Sequence, residues 1–229
     1  MAKNVSTVFK FQGTLGEYTH VNSMTYEPHV RAKRGTYTPI KLNKSMKKCS
    51  DMLMNCNGQA KLIFDALRDE YRDGSLWWRM VSIFFKRAKD GLKPSVQMLN
   101  KLECNAKCKL HDLLGKEYTV EVERAAKSMR LRIALPAGPL KGGIEKMSHY
   151  RLHVVVLYPN FSKGVVRKEI AAGEVMPLSG EPVLLDLELP APSATAPYLL
   201  LQGITGYVCV NDTIHRIWTY RGLAVVKTS

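Results

Sequence analysis

Cys104, Cys108 and His111 follow one another as C-x3-C-x2-H within PSVQMLNKLECNAKCKLHDLL. On a helix, two thiolates one turn apart and an imidazole nearly two turns along could converge on zinc. Structural zinc takes four ligands, and the C-x2-C knuckle that usually seeds such a site is absent. A fourth ligand would have to come from a distant His or Cys. The simpler reading is two small buried thiols and a rim histidine on an amphipathic helix. No metal or other cofactor is expected.

His149 and His153 stand four apart in HYRLHVVV, where strand alternation places both on one face with Arg151. No motif surrounds them, and a strand with one wet face accounts for the pattern. His215 adjoins Arg216 and lies near Trp218 and Tyr220, a grouping that suggests a carbohydrate or other ligand face as a third functional option. The carboxylate pairs Asp69/Glu70 and Glu121/Glu123 read as solvated positions. There is no G-x-S-x-G elbow, and LKGGIE lacks the spacing of a phosphate loop. No catalytic residue is assigned, and the expected function is not enzymatic.

The cations are more informative. HVRAKRGTYTPIKLNKSMKKC, residues 29–49, carries seven Lys or Arg and no carboxylate. Arg31, Lys33 and Arg34 lie on or beside a strand, with Arg31 and Lys33 projecting to the same side. Lys44, Lys47 and Lys48 occupy the first turns of a helix, where the dipole disfavours cations. An anionic partner would offset that cost, and the helix N–H groups suit phosphate. Tyr18, Tyr26 and Tyr37 interleave with these residues as candidates for stacking on bases. Lys86, Arg87 and Lys89 could extend the patch, although at a helix end they also satisfy the dipole.

The bulk composition agrees. The 229 residues carry 34 Lys or Arg against 20 Asp or Glu, a net charge of +14, which favours nucleic acid or another polyanion as partner. Residues 1–111 hold 20 basic and 9 acidic groups, a net of +11, whereas 112–229 hold 14 and 11, a net of +3. No apolar run approaches the roughly 20 residues that span a bilayer. The opening MAKNVSTVFKFQ lacks the apolar core of a signal peptide. Five cysteines, an odd number with two pairs at helical spacings, read as free thiols, so a cytoplasmic location is expected.

These residues must be carried by two kinds of structure. VSTVFKFQ alternates as a strand, and 5–35 reads as a small antiparallel hairpin or meander. Leu42, Met46, Cys49, Leu53, Cys56, Ala60, Ile63 and Leu67 then recur at alternating intervals of four and three, an apolar seam for one long helix. This seam could pack inside the chain or join two copies. Asp73 or Ser75 caps a second helix carrying Trp77, Met80, Val81, Phe84 and Ala88, with Trp78 and Phe85 set partly aside to cover the hairpin. Pro94 opens a third helix that Gly115 closes.

From residue 117 the period becomes two. EYTVEVE, SMRLRIAL, HYRLHVVVLYP, GVVRKEIA, PVLLDLEL, APYLLLQGITGYVCV and TIHRIWTYRGLAVVK are strand-like and separated by Pro/Gly-rich turns. The expected fold class is α+β. A basic hairpin with three helices (1–111) precedes an antiparallel β-sandwich of Ig-like or related topology (112–229).

FQGTLGEYTH, the basic HVRAKRG, a helix starting near NKSMKK and the aromatic second helix together resemble uncharacterised bacterial proteins with an N-terminal GTIG-type motif. YTVEVERAAKSMRLRIALP, SHYRLHVVV and LLLQGITGYVCVNDTIHRIW extend the resemblance over nearly the whole chain. GTLG stands here in place of GTIG. The resemblance implies a bacterial protein and brings no activity or catalytic residue with it. The functional expectation is therefore binding. Arg31, Lys33, Arg34, Lys44, Lys47 and Lys48 dock on nucleic acid or another polyanion, and the sandwich supports or recruits a protein. The alternative is a structural protein that self-associates through the 42–67 helix or the sandwich edges.

Overall fold

The computed structural model describes residues 2–3, 13–21, 29–33, 42–68, 73–114, 118–136 and 147–229. The expected strand over 5–12 and the residues Tyr26, Arg34 and Tyr37 lie outside this set. The chain forms two compact units, Met1–Lys48 and Cys49–Ser229. Its class is mixed α+β with mostly antiparallel sheets.

In the first unit, β1 (Ala2–Lys3), β2 (Gly13–Leu15), β3 (Tyr18–Val21) and β4 (His29–Ala32) form an antiparallel sheet in the order β1-β4-β3-β2. The hairpin-first layout expected from sequence thus becomes a meander of β2, β3 and β4 with β1 added beside β4. A two-residue strand has no alternation to read. Gly16, at φ 57, supplies the left-handed residue in the turn from β2 to β3.

Helix α1 (Lys44–Leu67) starts at Asn43, whose Oδ1 accepts from the Met46 N–H at 2.8 Å. Its apolar seam divides in two. Cys56, Ala60, Ile63 and Leu67 are buried, whereas Leu42, Met46, Cys49 and Leu53 are exposed. Helix α2 (Gly74–Lys89) is capped by Asp73, which accepts from the Ser75 N–H at 2.8 Å. It buries Leu76, Met80, Val81 and Phe84, while Trp78 is 60% exposed.

The second unit is built on a four-stranded antiparallel sheet of order β11-β10-β7-β8, comprising β7 (His149–Asn160), β8 (Val165–Pro177), β10 (Leu199–Val210) and β11 (Thr213–Thr228). Asn211 and Asp212, both at positive φ, form the two-residue turn between β10 and β11. Three further strands, β5 (Thr119–Arg124), β6 (Ser128–Leu135) and β9 (Val183–Pro190), make a sheet of order β5-β6-β9. All seven strand-like segments read from sequence are thus present.

Strand alternation decides what covers each face. Val155, Leu157, Leu199, Leu201, Leu223 and Val225 share a core with α1 and α2. Val154, Val156, Tyr158 and Leu200 point the other way and meet Met129, Leu131, Ile133 and Leu189 of the smaller sheet. Helix α3 (Leu110–Leu114) covers Leu152, Ile204 and Tyr220 on that second side. The first-half helices and second-half strands therefore share one core, so the division of charge near residue 111 does not coincide with a gap in packing.

The third helix expected over 94–114 is not formed as such. Val96–Leu99 makes one 3-10 turn, Lys101 adopts φ 63, and the chain then runs beside β11. Cys104 N–H donates to the Leu223 carbonyl at 2.7 Å, and Val225 N–H to the Leu102 carbonyl at 2.9 Å. The outer edge of β11 otherwise leaves backbone groups unpaired, and satisfying them outweighs helix propensity here. Glu103 accepts from the Leu110 and His111 N–H groups and so starts the short α3.

Gln202 lies fully buried in β10, and neither its amide oxygen nor its amide nitrogen has a hydrogen-bond partner among the described residues. An unmet buried amide is destabilising by about 1–3 kcal/mol. Gln202→Leu is therefore expected to raise the urea midpoint, adding roughly 1 kcal/mol of unfolding free energy at constant m. A lowered midpoint would show that the amide is satisfied.

Candidate anion-binding sites

The structure brings the expected cations together in two groups. Arg31 lies on β4 and is half-buried, and exposed Lys33 follows two residues later, its N–H donating to the Glu17 carbonyl at 2.6 Å. Lys44, Lys47 and Lys48 are all exposed, and their spacing puts them on one side of α1. The first turn of α1 contains no acidic residue. Arg34, the remaining predicted contact, lies outside the described residues. Tyr18 is 60% exposed on β3, as stacking on a base requires. Lys86, Arg87 and Lys89 fall in the last turn of α2, with Lys89 Nζ 4.8 Å from the Phe85 ring centre.

The C-x3-C-x2-H residues do not share a helix face. Cys104 is buried in the strand-like segment beside β11, Cys108 is half-buried and His111 is exposed at the start of α3. Burial, partly opposed by Arg79, pushes the Cys104 thiol up to about 12, so it stays protonated as a small apolar group. Among the described residues, no three His, Cys, Asp or Glu side chains are grouped to hold a metal. The third option, a ligand face at His215, loses Tyr220, which is buried against α3. The side chain of Trp218 lies outside the described set.

A second cationic site arises where sequence reading saw only separate fragments. Beyond Val155 and Leu201, the face of the large sheet that packs on the helices continues into polar residues. Arg151, His153, Thr205, Tyr207, Arg216 and Arg221, with Ile170 and Ala172, line a cavity of about 250 Å³. Strand register assembles them: Gly203 pairs with His153, and Thr205 pairs with Arg151 on one side and Arg221 on the other. Between Thr205 and Tyr207 the register slips, so that Tyr207 pairs with Arg216. Five positions of β11 are thereby matched to two of β10, and Arg216 and Arg221 come to line the same cavity. Bulges commonly re-aim side chains in this way.

The site is closely fitted. A Cβ at Gly203 would clash with the His153 ring at Nε2, so only glycine lets the imidazole lie over the strand. Arg151 Nε donates to the Gly173 carbonyl at 2.9 Å, which fixes the root of its guanidinium. Burial, and then the charges of Arg221, Arg216 and Arg151, hold His153 down to about 4. At neutral pH its ring is therefore uncharged, and it can donate one N–H. His149 takes another course, its Nδ1 lying 2.9 Å from Ser148 Oγ. The sequence signals were the pairs Arg151–His153 and His215–Arg216, but only long-range pairing joins the first of these to Arg216 and Arg221.

A larger cavity of about 670 Å³ beside α3 is lined by Lys101, Glu103, Lys109, His111, Asp112 and Tyr118 among others. Its charges are mixed, and Glu103 is occupied in capping α3. No protein-family profile matches the chain, and no curated protein matches it.

His153 reports burial and, after it, the positive charge of the arginines around it. Its ring should titrate near 4 by NMR, and Arg221→Gln should move that midpoint upward. The unfolded chain takes up this proton near 6.5 and the folded chain does not until about 4. Stability from this group is thus full above 6.5 and is lost as pH falls through that window, on the order of 3 kcal/mol in all. A ring midpoint near 6.5 in the folded protein would show that His153 is neither buried nor held close to the arginine charges.

Proposed function

We propose that this is a non-enzymatic, cytoplasmic binding protein whose basic amino-terminal half docks on nucleic acid or another polyanion. The observation that carries the reading is the cluster Lys44, Lys47 and Lys48, exposed together at the start of a 24-residue helix with no acidic residue in its first turn. Cations there oppose the helix dipole, and a phosphate backbone would turn that opposition into attraction. Arg31 and Lys33 in the same unit add to the surface. On this reading the two sheets of the second unit act as a β-sandwich that supports the contact or recruits a protein. Among the described residues no helix is long and apolar enough to cross a membrane.

A specific observation favours a second reading. Leu42, Met46 and Leu53 are 48%, 48% and 42% exposed, and neighbouring Met54 is 69% exposed. The free half of the α1 seam could pair two copies, whereas its buried half is already used within the chain. Light scattering at several salt concentrations separates the readings, since apolar assembly resists salt and phosphate docking does not.

The combined variant K44E/K47E/K48E should bind single-stranded RNA or duplex DNA at least tenfold more weakly in gel shifts. Its plot of log affinity against log salt should be shallower by about two to three counterions. An unchanged affinity and slope would exclude the lysine cluster as the contact.

A further inference from the structure

We propose that the pocket formed by Arg151, His153, Thr205, Tyr207, Arg216 and Arg221 is a binding site for a phosphoryl oxyanion, free or as a phosphate monoester. It lies wholly in the second unit and uses none of the amino-terminal cations, so it stands or falls separately from the docking surface proposed above.

Three independent features of the structure point to a compact anion. First, among the described residues the cavity lining carries three guanidinium groups and no carboxylate. Arg216 and Arg221 have contacts of their own as well, yet the charge of all three arginines is felt at His153. Second, the concavity holds about 250 Å³, below the ~300–1,000 Å³ of pockets that enclose drug-sized ligands. Third, the backbone is adapted to the site. Gly203 makes room for the imidazole, and register slips at Arg151/His153 on the β8 side and at Thr205/Tyr207 on the β11 side flank it. Such irregularities concentrate where a sheet aims side chains at a ligand.

The chemistry of the donors selects phosphate over carboxylate. A guanidinium offers paired N–H groups that match two oxygens of an oxyanion, and one fork satisfies a planar carboxylate. Three arginines converging from two strands suit a tetrahedral group that presents oxygens in several directions. A phosphate monoester carries a charge near −1.5 to −2 at neutral pH, which answers this density of positive charge better than a single negative charge does. The neutral ring of His153 and the hydroxyls of Thr205 and Tyr207 add donors that need no countercharge. The cavity is partly open to solvent, which leaves space for the substituent of a monoester.

The test uses the full chain with His153 ring signals followed by NMR at constant ionic strength. Inorganic phosphate, phenyl phosphate, acetate and chloride serve as separate probes. Saturable, one-to-one movement of the His153 signals is expected with inorganic phosphate, phenyl phosphate or both. The two phosphate arms decide whether the free ion or a substituted phosphate is taken. Arg216→Gln and Arg221→Gln should each weaken saturation at least tenfold, by loss of a charge-assisted hydrogen bond. Arg216 is exposed, so its variant keeps the fold should Arg221→Gln not. Phosphate effects matching those of chloride, equal saturation by acetate, or unaltered phosphate binding by the Arg216 variant would overturn the site.

Discussion

The strands β7 and β10 lie in the middle of the large sheet, and their central residues are buried on both faces. Everything else in the second unit answers that constraint. A strand covered on one side only can alternate apolar and polar residues, whereas a strand covered on both must be apolar throughout. Val154 to Tyr158 and Leu199 to Leu201 meet that demand. Each face then needs its own cover: α1 and α2 on one, the three-stranded sheet and α3 on the other. At roughly 25 cal/mol per Å² of apolar surface, leaving either side bare would outweigh the few kcal/mol by which a domain is stable.

The same constraint explains where a polar site can form. On the helix-packed face, apolar residues end at Val155 and Leu201, and two residues further along each strand stand His153 and Gly203. The sheet remains continuous there while the side chains become cationic. A rigid, hydrogen-bonded platform thus extends out of the core and holds the arginines at fixed spacing, without which a pocket of like charges would splay apart. The chain tolerates this arrangement because His153 stays neutral and Arg151 is tied to the Gly173 carbonyl.

Much of this was legible in the sequence. Strands β5, β6 and β9 carry period-two patterns, and the segments that form β7 and β10 read as strands. Asp73 was a readable cap. The third helix was misread because propensity and a terminal proline say nothing of an unpaired strand edge 120 residues away, which Cys104 and Leu102 complete. Asn105 reinforces the turn there, its side chain accepting from Lys107 and donating to the Arg221 carbonyl. The α1 seam looked uniform, yet only its second half finds a partner in the core, since periodicity reports that a face is apolar and not what covers it. The arginine pocket was out of reach for a related reason: Arg216 and Arg221 come to line the same cavity only through a register slip. The basic run at 29–49 was plain to see, and what structure adds is the exposure of Lys33 and of the three lysines on α1.

Surplus charge alone keeps a protein soluble, so the claim that matters is localisation. Mapping backbone amide shifts of the full chain during titration with a short single-stranded oligonucleotide addresses it most directly. The account predicts that saturable shifts centre on Lys44 to Lys48 and Arg31 to Lys33, while Lys163 and Lys227 in the second unit change little. Small shifts of similar size at every surface lysine would contradict it, and would identify the positive charge as a solubilising feature without a docking surface.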